Sequence, residues 1–384
     1  MKVARRVWTK QNSTYICRIV RDSKKTYDYT KQIEVTSKEE YYYALKGALE
    51  KFEESVEIKV KNYNHQDFKL DVLNKIVLEH PEIDYGYEQS NVQVSGYSGS
   101  NERTLKITLK YRLPKKTMIK QKTAVENKTK EFLSSHITNS MKDVEREIAI
   151  HDYLVKNAEY DVENYKKGIT VPENHNAYGV LVLGKGVCES YAKAFYTVAK
   201  VAGLEVKYVT GIGSNAPGRS ENHAWNMVKL DGEWYNVDVT WDDPIYNSPK
   251  DKWIEVQYKY FNLPDSIMNK THTRDEKLVK YPTANGTKYA YEKLNIKEED
   301  KDGNVFHAVK SKDELDNKIK EAIEGKETTL TLKVYDIGMD QSTLLGEIQK
   351  VIHANIGMNT NGLKNYGIKT SGDSIKYVQY TFNY

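Results

Sequence analysis

Asp231-Gly232 constrains the fold of this chain more than any other pair of residues. It separates two stretches of period-2 alternation, 223–230 and 233–239. A two-residue Asp-Gly loop predicts a type I′ turn, in which both residues take positive φ. If these two residues are the loop, Leu230 faces Glu233, Trp225 faces Asp238 and His223 faces Thr240. His223 and Asp238 then lie as diagonal neighbours on one face, within reach of a hydrogen bond. That face carries His223, Trp225, Met227, Trp234, Asn236 and Asp238, polar groups among tryptophans. The opposite face carries Ala224, Val228, Leu230, Tyr235, Val237 and Val239, and reads as the core side.

Upstream, Gly184-Lys-Gly-Val-Cys-Glu-Ser-Tyr-Ala192 leads from a glycine-rich approach into a helical pattern. Apolar residues fall at Tyr191, Ala192, Phe195, Val198, Ala199 and Ala202, the stripe of a helix with one buried face, and Gly203 occupies the C′ position. Cys188 is therefore predicted in the first turn, where free N–H groups and the helix dipole favour a thiolate and can receive an oxyanion. A cysteine at a helix start also reads as a small buried hydrophobe. The histidine and aspartate matched on the hairpin favour the chemical reading: a nucleophile, a base and an orienting carboxylate.

Taken together, Ile150-His-Asp-Tyr-Leu-Val-Lys-Asn157, Ala177-Tyr-Gly179, Gly186-Val-Cys188-Glu-Ser-Tyr-Ala192, His223-Ala-Trp-Asn226 and Trp234-Tyr-Asn-Val-Asp238-Val-Thr-Trp-Asp-Asp-Pro244 resemble the transglutaminase-like superfamily, in the bacterial branch similar to cytokinesis protein 3. The resemblance covers about 140–265. It implies a papain-like fold with Cys188 as nucleophile, His223 as base and Asp238 as orienting carboxylate. Ser190 departs from the glycine found in many relatives, which bears on packing at the helix start. The superfamily includes transglutaminases, proteases, amidases and inactive members, so the resemblance leaves the reaction open.

Weaker candidates surround these three. Tyr178 is positioned to offer its hydroxyl as a second oxyanion donor, or else to pack the loop; His175 is a similar candidate. Trp225 and Trp241 are expected to wall a dry cleft. His151-Asp152 looks like a catalytic pair, but adjacent residues on a helix are not expected to face each other. No metal is expected: Cys17 and Cys188 are far apart, Asp242-Asp243 lacks companion oxygen ligands, and Asp300-Lys-Asp302-Gly-Asn304 lacks the frame of a calcium loop and reads as solvated linker. No phosphate-binding or dinucleotide motif suggests a cofactor. Cys17 reads as a strand residue.

The 384 residues carry 58 basic and 54 acidic side chains, a balance that argues against a nucleic-acid partner. With a mean hydropathy of −0.72 and no apolar run of membrane-spanning length, membrane insertion is not expected. The 30 tyrosines against 7 phenylalanines suit sugar or protein stacking as well as half-buried strands. No apolar segment follows the basic start, so the expected location is cytoplasmic, or secreted or cell-surface if the N-terminus has been trimmed.

Ser37-Lys-Glu-Glu and Ser311-Lys-Asp-Glu each open a capped helix followed by an alternating strand, then a second helical patch and two closing strands, Val92–Ser95 with Thr104–Arg112 and Tyr366–Thr370 with Ser374–Asn383. The expected fold class is α+β, with a papain/transglutaminase-like core flanked by two related α/β modules. The domains are a 1–32 extension, module A at 33–115, a catalytic core at 116–285 with a helix near 122–136, a linker at 286–304 and module B at 305–384. The modules read either as packing partners or as binders of a polymeric substrate. Three functions stay open: a transglutaminase-like acyltransferase, a cysteine protease or amidase acting on peptide or cell-wall amides, and a non-catalytic scaffold. The expected partner is a protein or peptide substrate, or a cell-wall polymer.

Overall fold

A computed structural model describes residues 4–11, 14–21, 26–216, 219–243, 245, 254, 256–294, 296–300, 302–335, 337–357, 362–371 and 376–384. The chain divides into two compact units, one of residues 1–245 and 258–294, the other of 246–257 and 295–384. The first starts with an antiparallel hairpin of β1 (Ala4–Gln11) and β2 (Thr14–Arg21), with Cys17 in β2.

A four-stranded sheet comes next, built from β3 (Ile33–Val35), α1 (Lys38–Glu50), β4 (Ser55–Val60), α2 (Asp71–Glu79), β5 (Tyr87–Ser95) and β6 (Arg103–Tyr111). Its order is β3-β4-β6-β5, with β3 parallel to β4 and the other pairs antiparallel. The helix starts where the sequence pattern places it, because the Ser37 hydroxyl accepts the Glu40 N–H at 3.2 Å and the Glu40 carboxylate takes the Thr36 N–H at 2.7 Å. Leu45, Leu49, Val56, Ile58, Leu73 and Ile76 form its buried centre.

The part of the chain that positions the site contains α3 (Lys115–His136), α4 (Asp143–Asn157), β7 (Glu159–Tyr160), α5 (Val162–Lys166), β8 (Lys185–Gly186), α6 (Cys188–Val201), β9 (Glu205–Ala216), β10 (Arg219–Leu230), β11 (Glu233–Val237), α7 (Val239–Asp242), α8 (Asp265–Met268) and β12 (His272–Arg274). The expected helix near 122–136 begins at Lys115, directly after Pro114. The sheet order is β11-β10-β9-β12, and α6 packs across β9 and β10.

The hairpin register is the one the turn dictates. Asp231 and Gly232 have φ of 49° and 91°, Leu230 faces Glu233, and pairing runs to Asn226 opposite Val237. Two expectations need correction there. The ladder stops at Val237, because Asp238 leaves the strand to cap α7, accepting the N–H groups of Thr240 and Trp241 at 3.0 and 3.2 Å. His223 is therefore not opposite Thr240; it pairs with Gly211 of β9. Nor is the face opposite the tryptophans alone the core side. Trp225 and Met227 are buried on the tryptophan face with Val209, Tyr260 and Met268, while the opposite face packs on α6, where the Asn226 amide donates to the Ala192 carbonyl at 3.0 Å. Both sides of this sheet are core.

In the second unit, β13 (His307–Val309), α9 (Lys312–Glu324), β14 (Thr329–Val334), α10 (Gln341–Gly357), β15 (Asn365–Ser371) and β16 (Lys376–Asn383) form a sheet of order β13-β14-β16-β15. The strand senses are those of the first sheet, and Ser311 caps α9 through the Glu314 N–H at 3.2 Å. Ser374, expected to start the last strand, lies outside the described residues. The solvated-linker reading of 300–304 fits the exposed Asp302 and Gly303 but not Asp300. The Asp300 carboxylate is buried and accepts N–H groups from Asp302 and Asn304 at 2.9 Å each, with the Gln379 amide at 2.6 Å. Four-residue turns that satisfy a carboxylate with their own backbone need no solvent. Among the described residues, no helix is long and apolar enough to cross a membrane.

Candidate functional site

Cys188 is the first residue of α6, and the N-cap position is Val187, whose side chain offers no acceptor to the first turn. The turn's N–H groups are thus free of a side-chain cap, as an oxyanion site requires. Ser190, where many relatives carry glycine, is fully buried. Its hydroxyl donates to the Asn176 carbonyl at 2.6 Å and accepts the Val180 N–H at 3.0 Å. Glycine at 186 makes the room, since a Cβ there would lie 2.6 Å from that of Ser190. The serine thereby ties the helix start to the loop before it.

His223, on β10, places Nε2 2.6 Å from Asp238 Oδ2, and both side chains are buried. Burial alone would lower the proton affinity of the ring. The Asp238 charge, its hydrogen bond and a hydrogen bond with the Cys188 thiol outweigh burial and push His223 up to about 10. Asp238 shows the complementary effect. Burial would raise it, yet the two histidines on Oδ2 hold it well below the usual carboxylate range. With Nε2 committed to the carboxylate, Nδ1 is the nitrogen left to exchange a proton with the thiol. The structure thus brings Cys188, His223 and Asp238 together in that order.

The weaker candidates fare differently. Trp241 packs on the His223 ring at 4.8 Å between centroids and Trp225 stacks at 6.1 Å. They form a dry wall behind the histidine rather than the cleft lining. His175 Nδ1 pairs with Glu189 Oε2 at 2.8 Å, so its ring is engaged by the residue after Cys188 rather than offered to an oxyanion. Tyr178 uses its backbone N–H on Asn176 Oδ1 at 2.9 Å and is not among the residues lining the cleft. That cleft, about 590 Å³, is lined by Cys188, Glu189, Tyr208, His223, Thr273 and Arg274 among others. Burial would raise the Glu189 carboxyl, but Lys193 and His175 hold it below its ordinary range, so it stays ionised and compensated beside the thiol.

His151 and Asp152 correct another expectation: they do touch, Nδ1 to Oδ1 at 3.1 Å, while His151 Nε2 meets Asp242 Oδ2 at 3.2 Å. An exposed helix surface separates adjacent residues, but here the ring turns inward and is fully buried. His151 lies inside the core and Asp152 is half-buried, and neither is among the residues lining the cleft.

Sequence reasoning missed His272. It sits on the three-residue β12 with Nε2 3.1 Å from the same Asp238 oxygen, Oδ2. A three-residue strand offers too little alternation to read. It also missed Tyr160 on β7, whose phenol burial and the nearby charge of Cys188 push upward. The ligand atoms of His223, Asp238 and His272 lie within 4.8 Å of one another. However, the 2.6 Å separation of His223 Nε2 and Asp238 Oδ2 is that of a charge-assisted hydrogen bond with a proton between the atoms.

Residues 130–239 match the family model of the transglutaminase-like superfamily. Among curated proteins, the chain is similar to kyphoscoliosis peptidase of Mus musculus, 27% identical over 165 residues, which covers 40% of this chain and 24% of that protein. The Homo sapiens protein of the same name is 26% identical over 159 residues, 38% of this chain and 23% of that one. The chain thus matches about a quarter of the length of these relatives. A solved structure described as a TGase aligns with 57% of this chain and 62% of its own at 16% identity, with a TM-score of 0.26.

Proposed function

We propose that this chain, which carries a transglutaminase-like domain over residues 130–239, is a cysteine enzyme that opens carboxamide or peptide carbonyls through a thioester on Cys188. The observation that carries the reading is the placement of His223 between the thiol and an ionised, buried carboxylate 2.6 Å away. Cys188 gives its proton to Nδ1 of His223, and the sulfur attacks the carbonyl carbon. The resulting oxyanion lies against the N–H groups of the first turn of α6. His223 then returns the proton to the departing nitrogen, the C–N bond breaks, and ammonia or an amine leaves. Water or a second amine, deprotonated by the same ring, resolves the thioester and frees the thiol.

Transfer to an amine is the sharper form of this reading. Hydrolysis is the second, favoured by the name of the two curated relatives, both peptidases. One experiment separates them: label with iodoacetamide to test the thiol, then supply a glutamine-containing peptide with a tagged primary amine and weigh the products. Tagged peptide supports transfer, and a deamidated or cleaved peptide supports hydrolysis. An unmodified peptide together with an inert Cys188 would sink the enzyme reading.

A further inference from the structure

Asp238 is over-supplied with donors for a simple triad carboxylate. Oδ1 takes two backbone N–H groups, from Thr240 and Trp241. Oδ2 takes His223 at 2.6 Å and His272 at 3.1 Å. With the carboxylate ionised, each ring must present an N–H at Nε2, and in neutral His272 this leaves Nδ1 as an acceptor. The Thr271 hydroxyl has a choice of acceptors, His272 Nδ1 at 2.8 Å and the Met268 carbonyl at 3.3 Å, and the nearer is the ring nitrogen. His272 is buried and sits against Trp241 at 4.4 Å and Trp225 at 4.9 Å. The acceptor Oδ2 sets the N–H on His272 Nε2, and a Thr271 hydroxyl donating to Nδ1 supports the same tautomer.

Resting on the thiol reading, we propose that His272 is a positioning residue for the triad: its Nε2–H shares Asp238 Oδ2 with His223, holding the carboxylate in place and limiting how strongly it pulls on the His223 proton. A lone carboxylate beside His223 would hold that proton too firmly for it to be handed to a departing nitrogen. A second donor on the same oxygen takes up part of the carboxylate's charge. Besides the two histidines, the ionisable groups facing this cluster are Cys188 from α6, Tyr160 from β7, Asp242 from α7 and Tyr260, whose ring packs on that of His272.

The test is alkylation of Cys188 by iodoacetate across pH, followed by mass on the Cys188 peptide so that Cys17 does not interfere. The anionic reagent reacts best while His223 is protonated, so the alkaline limb of the profile reports release of the His223 proton. His272→Leu removes the donor and keeps bulk, and the limb should move to higher pH by about half a unit or more. His272→Gln, which can still aim an N–H at Oδ2, should return the limb to its wild-type position. Thr271→Val, which removes only the hydroxyl, should shift it in the same direction and stands in if His272→Leu does not fold. A limb that does not move in His272→Leu, or that moves equally in Leu and Gln, overturns the proposal. If wild-type Cys188 reacts no faster than the urea-unfolded chain, the thiol reading itself fails and the inference fails with it.

Discussion

Replacing Asp238 with Asn keeps the shape of the side chain and removes its charge, and the surrounding donors determine the outcome. The amide oxygen can keep the Oδ1 role and accept the Thr240 and Trp241 N–H groups, so α7 retains its cap. The amide nitrogen then replaces Oδ2, where two ring N–H groups at 2.6 and 3.1 Å expect an acceptor. Donor meets donor, and His223 is driven to the tautomer with a proton on Nδ1, the atom that must receive the thiol proton. The largest influence raising His223, the Asp238 charge, is also gone, while the burial that opposes protonation remains. Its proton affinity should fall from about 10 to below the free-histidine value of about 6.5. Turnover should drop by about 1,000-fold, ~4 kcal/mol of transition-state stabilisation, less than the roughly 10,000-fold cost in serine triads because a thiol leans less on its base. Stability should fall by about 1–3 kcal/mol for the unmatched buried donors. The assay is iodoacetate alkylation of Cys188 against pH, beside thermal melting. The alkaline limb should fall by several units, opposite in sign to the His272→Leu shift. Turnover within twofold of wild type and an unmoved limb would refute the argument that Asp238 controls His223.

The same geometry makes other outcomes testable. Cys188→Ala should abolish labelling at that position and all turnover, with a melting temperature near wild type, since a small side chain at a helix start is easily replaced; retained turnover would rule out the thiol. Glu147 is fully buried and burial pushes it up to about 8, so the folded chain holds a proton there that the unfolded chain gives up near 4.5. Stability should therefore decline from pH 4.5 to 8 by this group, and Glu147→Gln should flatten that slope in melting curves. The raised His223 works in a different window: its contribution is complete below about 6.5 and is lost as pH rises towards about 10, which melts above about pH 7 should track. Inserting one residue between Asp231 and Gly232 should destroy labelling enhancement and cooperative melting together, because a one-residue slip sends each side chain of one strand to the opposite face.

How much of this was legible depended on whether the signal was local. The Asp231-Gly232 turn and the α6 stripe are short-range patterns, and from them Cys188, His223 and Asp238 could be set side by side. The end of β11 was not legible, because nothing in the alternation through Val239 reveals that Asp238 will cap a one-turn helix. Both faces of β10 looked different in polarity but are both covered, since the segment around Tyr260 and Met268 returns over the tryptophans from far along the chain. His272 was invisible for the same reason: its partner is distant in sequence and its strand is three residues long. Asp300 was mistaken for a solvated residue, because the N–H groups of Asp302 and Asn304 and the distant Gln379 amide that satisfy its carboxylate leave no mark in the local pattern.

Lys193 gives the site a boundary unlike that of the family match. On α6, this buried lysine reaches Glu189 at 2.8 Å, next to the thiol, and Asp84 at 2.7 Å, in the loop between α2 and β5 of the preceding sheet. Burial works against its charge, and the two carboxylates hold the proton on it. One of the two carboxylates that neutralise this buried ammonium is thus supplied from outside residues 130–239. The stretch recognisable by descent and the stretch that is electrically complete are different lengths of chain. A gene fragment cut to the former would carry Cys188, His223 and Asp238 and still leave the Lys193 ammonium without one of its two carboxylates. Inheritance of this site as a working part therefore has to include the sheet that comes before it.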